Sequence, residues 1–178
     1  FNEETRVGEF IDKFKESKDK LVDTILIVND GSTDSTKEVA EKHGATVVGY
    51  EKRKGLGYAL RTGINYSLEN NYSILVFIAP NGKDNPIEIP IVVKPVLDGK
   101  ADYVQGSRYI SGEHSVDNMS GTRKFATKLH PFLIRKITGF PATDSTNGFR
   151  AIKASLFKDS KIDISQKWLD GTSFEFYV

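Results

Sequence analysis

Residues 72–86 read YSILVFIAPNGKDNP, and this stretch decides the fold. The apolar run from Ile74 to Ile78 has no polar break, which is typical of a central parallel strand covered on both faces. Turn-forming and polar residues from Pro80 to Pro86 then end the strand. Because ligands of open α/β sheets lie beyond the carboxyl ends of the strands, this loop is the first candidate site. An ordinary strand-to-helix turn is the alternative.

Helices and strands alternate on both sides of this strand. Helices are predicted over residues 5–21, 35–44, 58–69 and 87–97, and strands over 24–28, 45–50 and 102–106. Ser35 and Glu38 form a capping-box pattern, and Gly44 is the predicted C-terminal cap of that helix. Strict alternation indicates crossover units and an α/β fold with a mostly parallel sheet. We expect a single domain over residues 1–178 that lacks its first strand and its C-terminal part.

The pattern changes beyond Gly106. Residues 122–137 predict a helix, interrupted by Pro131, whose apolar side consists of Phe125, Ala126, Leu129, Phe132, Leu133 and Ile137. The same region is locally cationic, with Arg108, Arg123, Lys124, Lys128, Arg135 and Lys136 against only Glu113 and Asp117. The apolar side either packs against the core or meets a membrane surface. A short strand is predicted at residues 149–152.

Composition excludes several functional classes. The net charge of +1 predicts no strong attraction to nucleic acid. The absence of cysteine excludes disulfides, thiolate catalysis and cysteine-ligated zinc. His43, His114 and His130 lack metal-ligand spacing. The chain has no G-x-G-x-x-G fingerprint, no P-loop and no G-x-S-x-G elbow, so neither a dehydrogenase nor a serine hydrolase is supported.

Four polar segments are predicted at strand ends: residues 2–4, 29–34, 81–85 and 106–109. In a parallel sheet they gather at one edge, which is the geometry of a nucleotide-binding cleft. Asp30 and Asp34 flank a Gly-Ser-Thr turn, where they either cap a helix or accept hydrogen bonds from a ribose or base. The basic residues Lys52, Arg53 and Lys54 are either solvated or hold a phosphate.

Six segments in order carry a resemblance to a known family. They are FNEE (1–4), ILIVNDGSTDST (25–36), KGLGYALRTGI (54–64), ILVFIAPNGKDNPIEIP (74–90), VQGSRYISG (104–112) and TDSTNGFRAIKASLF (143–157). The chain resembles the inverting family-2 glycosyltransferases, in particular the branch of dolichyl-phosphate mannose synthases and related polyprenyl-phosphate glycosyltransferases. The resemblance implies the GT-A fold, a Rossmann-like sheet that holds a UDP- or GDP-sugar. It also implies inverting transfer of the sugar to a polyprenyl phosphate at the cytoplasmic face of a membrane.

The resemblance also assigns roles to individual positions. It implies that Asn2, Glu3, Glu4 and Asp30 contact the nucleotide, and we expect Lys54 and Gly55 to contribute to donor binding. Arg108 and Arg123 match basic positions that hold phosphates of the donor or of the lipid acceptor. Residues 144–150 match the segment beside the acceptor site. The expected catalytic residues are Asp84, Lys83, Arg108 and Asp144.

The chain departs from the family where the metal binds. The family usually reads Asp-x-Asp, then Gly and Gln, whereas this chain has Ala79, Pro80, Asn81 and Lys83 at the matching positions. Either Asn81 and Asp84 hold a weakened Mg²⁺ or Mn²⁺ site, or Lys83 pairs directly with the sugar diphosphate.

Two further alternatives concern the function itself. The altered loop is compatible with a non-catalytic domain that binds a nucleotide-sugar or a polyprenyl phosphate. A glycosyltransferase that acts on a glycan hydroxyl is the other alternative. It needs a carboxylate base, for which Asp144 and Asp170 are the candidates.

Overall fold

The structure is a computed structural model that describes residues 1–16, 21–80, 84–110 and 121–177, without the side chains of residues 123, 124, 126, 175 and 176. Its helices are α1 (Val7–Glu16), α2 (Thr36–Lys42), α3 (Leu56–Glu69), α4 (Ile89–Leu97), α5 (Gly121–Thr138) and α6 (Phe174–Tyr177). Its strands are β1 (Leu26–Asp30), β2 (Thr46–Tyr50), β3 (Ile74–Phe77), β4 (Tyr103–Gln105) and β5 (Arg150–Lys153). Short 3-10 helices cover Pro86–Glu88, Ala154–Lys158 and Lys167–Asp170. Every helix and strand predicted within the described residues is present.

Strand pairing combines parallel and antiparallel neighbours. β1 pairs with β2 in parallel, with Leu26 opposite Thr46 and Asp30 opposite Tyr50. β5 lies between β3 and β4 and is antiparallel to both. β3 and β4 therefore run in the same direction, as their helical crossover requires. The insertion of β5 between them is a difference from the alternating pattern that the sequence predicts.

The apolar run of β3 is buried from two sides, as predicted. Leu75 and Phe77 belong to a core cluster with α3, α6 and the 3-10 helices Ala154–Lys158 and Lys167–Asp170. Ile74, Val76 and Ile78 pack instead with the buried face of α4. Successive side chains of a strand point to opposite faces, so an unbroken apolar run is what a strand with helices on both faces needs. The third core cluster joins α1 and α2 to the β1–β2 pair.

The start of α2 is capped differently from the prediction. Ser35 occupies the N-cap position, but its side chain makes no cap hydrogen bond, so the predicted Ser35–Glu38 capping box is wrong. Asp34 instead accepts hydrogen bonds from the backbone N–H of Thr36 at 3.1 Å and from its hydroxyl at 2.5 Å. At the other end, Gly44 adopts a left-handed φ of 76°, and the Ala45 N–H bonds to the Ala40 carbonyl, which confirms the predicted cap.

This difference in capping predicts a difference between two neighbouring variants. Asp34→Ala removes the acceptor for the Thr36 N–H, so we expect a lower melting temperature than that of the unmodified protein. Ser35→Ala removes a side chain that caps nothing, so its melting temperature stays close to that of the unmodified protein. Thermal unfolding followed by circular dichroism measures both, and a larger loss from Ser35→Ala than from Asp34→Ala would contradict this assignment.

α5 continues through Pro131, contrary to the predicted interruption. Thr127 and Pro131 lie on its buried side. The described side chains of the predicted apolar side are exposed: Phe125, Leu129, Phe132, Leu133 and Ile137. Packing against the core is therefore the wrong alternative for these residues. Within the part of the chain that the structure describes, no helix combines the length and apolar character that crossing a membrane requires.

Candidate functional site

Residues 2–4 are hydrogen-bonded to the loop that follows β1. The Asn2 N–H donates to Ser32 Oγ at 3.0 Å, and the Thr33 N–H donates to Asn2 Oδ1 at 2.9 Å. The Ser35 N–H donates to Glu4 Oε2 at 2.9 Å, and the Glu3 N–H donates to Thr36 Oγ1 at 2.8 Å. The structure thus brings together two of the polar segments that the sequence predicts at one sheet edge.

The carboxylate of Asp30 is enclosed by the loop that precedes α3. Asp30 ends β1 and is 7% exposed. It accepts hydrogen bonds from the backbone N–H of Lys54 at 2.7 Å and of Gly55 at 3.0 Å. Gly31 approaches this loop so closely that a Cβ there would lie 2.5 Å from Arg53 N. These contacts join Asp30, Lys54 and Gly55 at the N-terminus of α3, where a negative charge is favourable. The sequence predicts the three residues only as separate contacts of the donor.

The side chains of this basic loop point in different directions. Lys54 Nζ lies 4.5 Å and 4.4 Å from the ring centroids of Tyr50 and Tyr58, so aromatic faces hold its charge. The Arg53 Nε lies 3.7 Å from Asp30 Oδ2, and its guanidinium lies 4.7 Å from the centroid of the Phe1 ring. The guanidinium of Arg53 thus pairs with Asp30. Three consecutive basic residues in the sequence do not show which of them does so.

A second group forms around Arg108 and Asp144. Arg108 Nε donates to Asp144 Oδ2 at 2.7 Å and Arg108 Nη2 donates to Asp144 Oδ1 at 2.9 Å, which makes the pair bidentate. The Asp144 side chain is fully buried and that of Arg108 is 16% exposed. Thr146 is bonded to both partners, since its N–H donates to Asp144 and its hydroxyl accepts from Arg108.

The ionisation of both groups follows from this contact. Burial alone raises the pKa of Asp144, but hydrogen bonds from Arg108 and Thr146 outweigh it and hold the pKa below the usual range of an aspartate. The hydrogen bond to Asp144 raises the pKa of Arg108 against the opposing effect of burial, with smaller contributions that include the charge of Asp84. The convergence of Asp84 and Arg108 in one site stays a prediction.

Arg150 is a basic residue of this region that the sequence does not single out. It begins β5 and is 4% exposed, with Phe77 and Gln105 as its cross-strand neighbours. Those neighbours end β3 and β4, so Arg150 lies at the carboxyl edge of both strands. A basic residue directly before the buried apolar pair Ala151 and Ile152 is the signal that points to it.

α5 is joined to the second group by two side-chain hydrogen bonds. The Tyr109 hydroxyl donates to Thr127 Oγ1 at 2.6 Å, and His130 Nδ1 lies 2.7 Å from Ser145 Oγ. Tyr109 and Ser145 directly follow Arg108 and Asp144 in the chain. The helix and the buried ion pair are therefore held together at two points.

Asp170 contacts α3 and the loop around Asp30. It forms an ion pair with Arg61 of α3, and its carbonyl oxygen would lie 2.7 Å from a Cβ at Gly55. Asp170 is thus placed beside the loop that encloses Asp30. Both carboxylates that were candidates for a general base, Asp144 and Asp170, are paired with arginines.

Three predicted site positions lie wholly or partly outside the described part of the structure. Asn81 and Lys83 are outside the described residues, and Arg123 lies in α5 without a described side chain. Across residues 1–16, 21–80, 84–110 and 121–177, no group of three or more His, Asp or Glu side chains is arranged to hold a metal ion. The roles predicted for these residues remain predictions.

A family described as glycosyl transferase family 2 matches residues 1–160. The chain is 29% identical over 175 residues to UDP-N-acetylglucosamine--dolichyl-phosphate N-acetylglucosaminyltransferase of Methanococcus voltae, which covers 89% of the chain and 68% of that protein. It is 31% identical over 157 residues to polyprenol monophosphomannose synthase of Mycolicibacterium smegmatis, which covers 85% of the chain and 58% of that protein.

Among solved structures, the chain is similar to glucosyl-3-phosphoglycerate synthase of Mycobacterium tuberculosis in complex with Mn²⁺, UDP-glucose and phosphoglyceric acid. The TM-score is 0.67 at 26% identity, over 88% of this chain and 55% of that one. The similarity confirms the predicted α/β class and its GT-A fold. The chain spans about three fifths of the length of the curated relatives and about half of this solved enzyme.

Proposed function

Because this chain belongs to glycosyl transferase family 2, we propose that it transfers a sugar from a UDP- or GDP-sugar to a polyprenyl phosphate, with inversion, at the cytoplasmic face of a membrane. The observation that carries this proposal is the buried ion pair of Arg108 and Asp144. Two hydrogen bonds to Asp144 and one to Thr146 hold the guanidinium of Arg108 in a fixed orientation. A guanidinium in a defined orientation is well suited to bind a phosphate.

An anionic acceptor determines which chemistry the site needs. A phosphate oxygen is already charged at neutral pH, so transfer to it depends less on a general base than transfer to a hydroxyl. The lowered pKa of Asp144 makes this carboxylate a poor base, and its oxygens are occupied by Arg108 and Thr146. In this proposal Asp144 is a positioning residue for Arg108. The same observation disfavours a glycan hydroxyl as the acceptor.

The leaving nucleotide diphosphate needs positive charge as the bond to the sugar breaks. The described residues do not fit a two-carboxylate metal site, since the side chain of Ala79 has no ligand atom and no group of three or more His, Asp or Glu side chains among them is arranged to hold a metal ion. We therefore assign the charge on the diphosphate to Lys83, with Arg108 and Arg123 on the acceptor phosphate. Asp30 and residues 2–4 are assigned to the nucleotide, on the loops that the structure brings together.

The named substrates of the relatives support a polyprenyl phosphate as the acceptor. Two of them act, by name, on dolichyl phosphate and on a polyprenol. A third relative, 31% identical over 144 residues, is the undecaprenyl-phosphate mannosyltransferase of Micrococcus luteus. The altered loop at Ala79 favours one competing function, a non-catalytic domain that binds a nucleotide-sugar or a polyprenyl phosphate.

Sugar transfer in the presence of a chelator tests the charge mechanism. The protein is incubated with UDP- and GDP-sugars and a polyprenyl phosphate, with Mn²⁺, with Mg²⁺ or with chelator, and the glycolipid is detected by mass spectrometry. We expect product under all three conditions, and we expect Lys83→Met to lower the rate about 10²–10³-fold, as removal of a charge-stabilising group does. Asp84→Asn is the matched control and changes the rate much less.

Each alternative has its own outcome in this experiment. Loss of product in chelator, restored by Mn²⁺ and abolished by Asp84→Asn, would show that Asn81 and Asp84 hold a metal instead. Nucleotide binding without product from any donor would favour the non-catalytic domain. The anomeric configuration of the product, determined by NMR, tests inversion.

A further inference from the structure

The exposed side of α5 is an apolar surface that neither the core nor the proposed chemistry uses. We call Phe125, Leu129, Phe132, Leu133 and Ile137 the apolar face of α5. Phe125 is 67% exposed, Phe132 47% and Ile137 81%, and Phe140, just beyond the helix, is also exposed. Soluble proteins rarely leave so many large apolar side chains together in water, so a surface of this kind indicates an interaction site.

The charges of α5 define what this face meets. Residues 121–138 contain no acidic side chain, whereas Lys128, Arg135 and Lys136 are exposed on the same helix. Other exposed apolar residues lie around α4, but there Ile87, Ile91 and Leu97 are flanked by Glu88 and Asp98. A helix with large apolar side chains and only basic charges is complementary to an anionic lipid surface.

We infer that α5 docks the protein on an anionic lipid bilayer, with the helix lying in the plane of the interface. The apolar face recurs at positions i, i+4, i+7, i+8 and i+12 of an 18-residue helix, so it extends along nearly the whole length of α5. Insertion along that length requires the helix to lie flat. Its basic side chains then lie at the level of the lipid headgroups.

The contacts of α5 connect this docking to the candidate site. The hydrogen bonds from Tyr109 to Thr127 and between His130 and Ser145 hold the helix against the segments that carry Arg108 and Asp144. Docking through α5 therefore brings Arg108 to the headgroup region, where the phosphate of a polyprenyl phosphate lies. The link between docking and the candidate site rests on the proposed function. Docking itself can be measured separately, because binding to lipid requires no turnover.

A single fluorescent label tests the docking directly. The sequence has no cysteine, so Phe132→Cys introduces a unique site for an environment-sensitive fluorophore. We expect its emission to shift to shorter wavelength on addition of phosphatidylcholine vesicles that contain phosphatidylglycerol, and to change little with phosphatidylcholine alone. High salt reverses the shift, because each basic residue near the surface contributes about fivefold in affinity. The same label at Ile91→Cys of α4 is the control and stays unchanged.

Two matched triple variants identify the element responsible. Phe125→Ser/Phe132→Ser/Ile137→Ser weakens vesicle co-sedimentation at least about tenfold, since the apolar area of three large side chains is lost. Ile87→Ser/Ile91→Ser/Leu97→Ser removes three comparably exposed apolar residues and leaves binding unchanged. Circular dichroism checks that both variants fold. The α5 variant also loses transfer to an acceptor embedded in vesicles but retains transfer to a water-soluble short-chain prenyl phosphate.

Several outcomes would overturn the inference. Equal loss of binding in both triple variants, or no binding to anionic vesicles, excludes α5 as the docking element. A label at residue 132 that is already shielded without lipid shows that another part of the chain covers the face. Concentration-dependent dimers that the α5 variant abolishes show that a second copy covers it. Vesicle binding through α5 without transfer to any acceptor leaves the inference standing and removes the proposed function instead.

Discussion

Replacing Arg108 with methionine is expected to lower the free energy of unfolding by about 3–5 kcal/mol. The reason is that Asp144, whose side chain is fully buried, keeps its negative charge but loses the guanidinium that holds it at 2.7 and 2.9 Å. Removing one partner of a buried ion pair costs far more than the pair contributes, because the remaining charge has no compensation. Urea unfolding followed by circular dichroism measures the difference.

The loss in Arg108→Met depends on pH in a defined direction. In the unmodified protein the pKa of Asp144 is depressed, so its contribution to stability is present above the ordinary aspartate pKa of about 3.9 and is lost as the pH falls through the lower folded-state value. In the variant, burial without a partner raises that pKa, so acid relieves the penalty. We expect a large difference between the two proteins near pH 7 and a much smaller one near pH 3. An equal difference at both pH values would contradict the assignment.

A second substitution separates the fold from the chemistry. Adding Asp144→Asn to Arg108→Met removes the uncompensated charge while the amide oxygen still accepts the N–H of Thr146, so much of the lost stability returns. Sugar transfer stays about 10²–10³-fold reduced, because the guanidinium proposed to hold a phosphate is absent. Recovery of transfer together with stability would show that Arg108 acts only through the fold.

Gly57→Ala is expected to be the most damaging small substitution in α3. A methyl group at residue 57 would overlap the carbonyl oxygen of Leu169 and lie 2.7 Å from that of Gly171. Both contacts are with backbone, which cannot rotate away as a side chain does, so we expect a cost at the upper end for overpacking, about 3 kcal/mol. At about 2–4 °C per kcal/mol for a chain of this size, the melting temperature falls by roughly 6–12 °C.

Gly63→Ala in the same helix is the matched control. Its nearest neighbour is the Val28 Cγ2 atom at 3.5 Å, an ordinary contact distance. Alanine favours the helix over glycine by about 0.5–1 kcal/mol, so this variant is expected to be slightly more stable than the unmodified protein. Opposite signs for the two substitutions locate the constraint in the contact with residues 169–171. Similar effects of both would mean that glycine is needed in α3 for another reason.

The Gly57 contact also has a functional readout. It seats residues 169–171 against the start of α3, next to the loop whose N–H groups bind Asp30. Displacement of this segment is expected to weaken nucleotide binding by Gly57→Ala but not by Gly63→Ala. Isothermal titration with UDP and GDP, at a temperature where both variants are folded, measures this difference.

Local sequence patterns were sufficient to predict the order of the helices and strands. The run from Ile74 to Ile78 predicts a strand buried on two faces, because its alternate side chains must enter two separate apolar environments, and β3 does so. The approach of residues 2–4 to the loop after β1 follows from the rule that ligand-binding loops lie at strand ends. Motif order predicts the family. Each of these features follows from a short local pattern combined with a general rule on where strand ends lie.

Pairing between distant segments was decided only by the tertiary structure. Arg108 and Asp144 are 36 residues apart, and nothing in the spacing shows that they share two hydrogen bonds. The position of β5 between β3 and β4 is equally a long-range choice. Helical periodicity predicts that Phe125, Phe132 and their neighbours share one side of α5, but periodicity states only that side chains lie together. Whether the core covers that side depends on the packing of the whole chain. In this structure the core leaves it exposed.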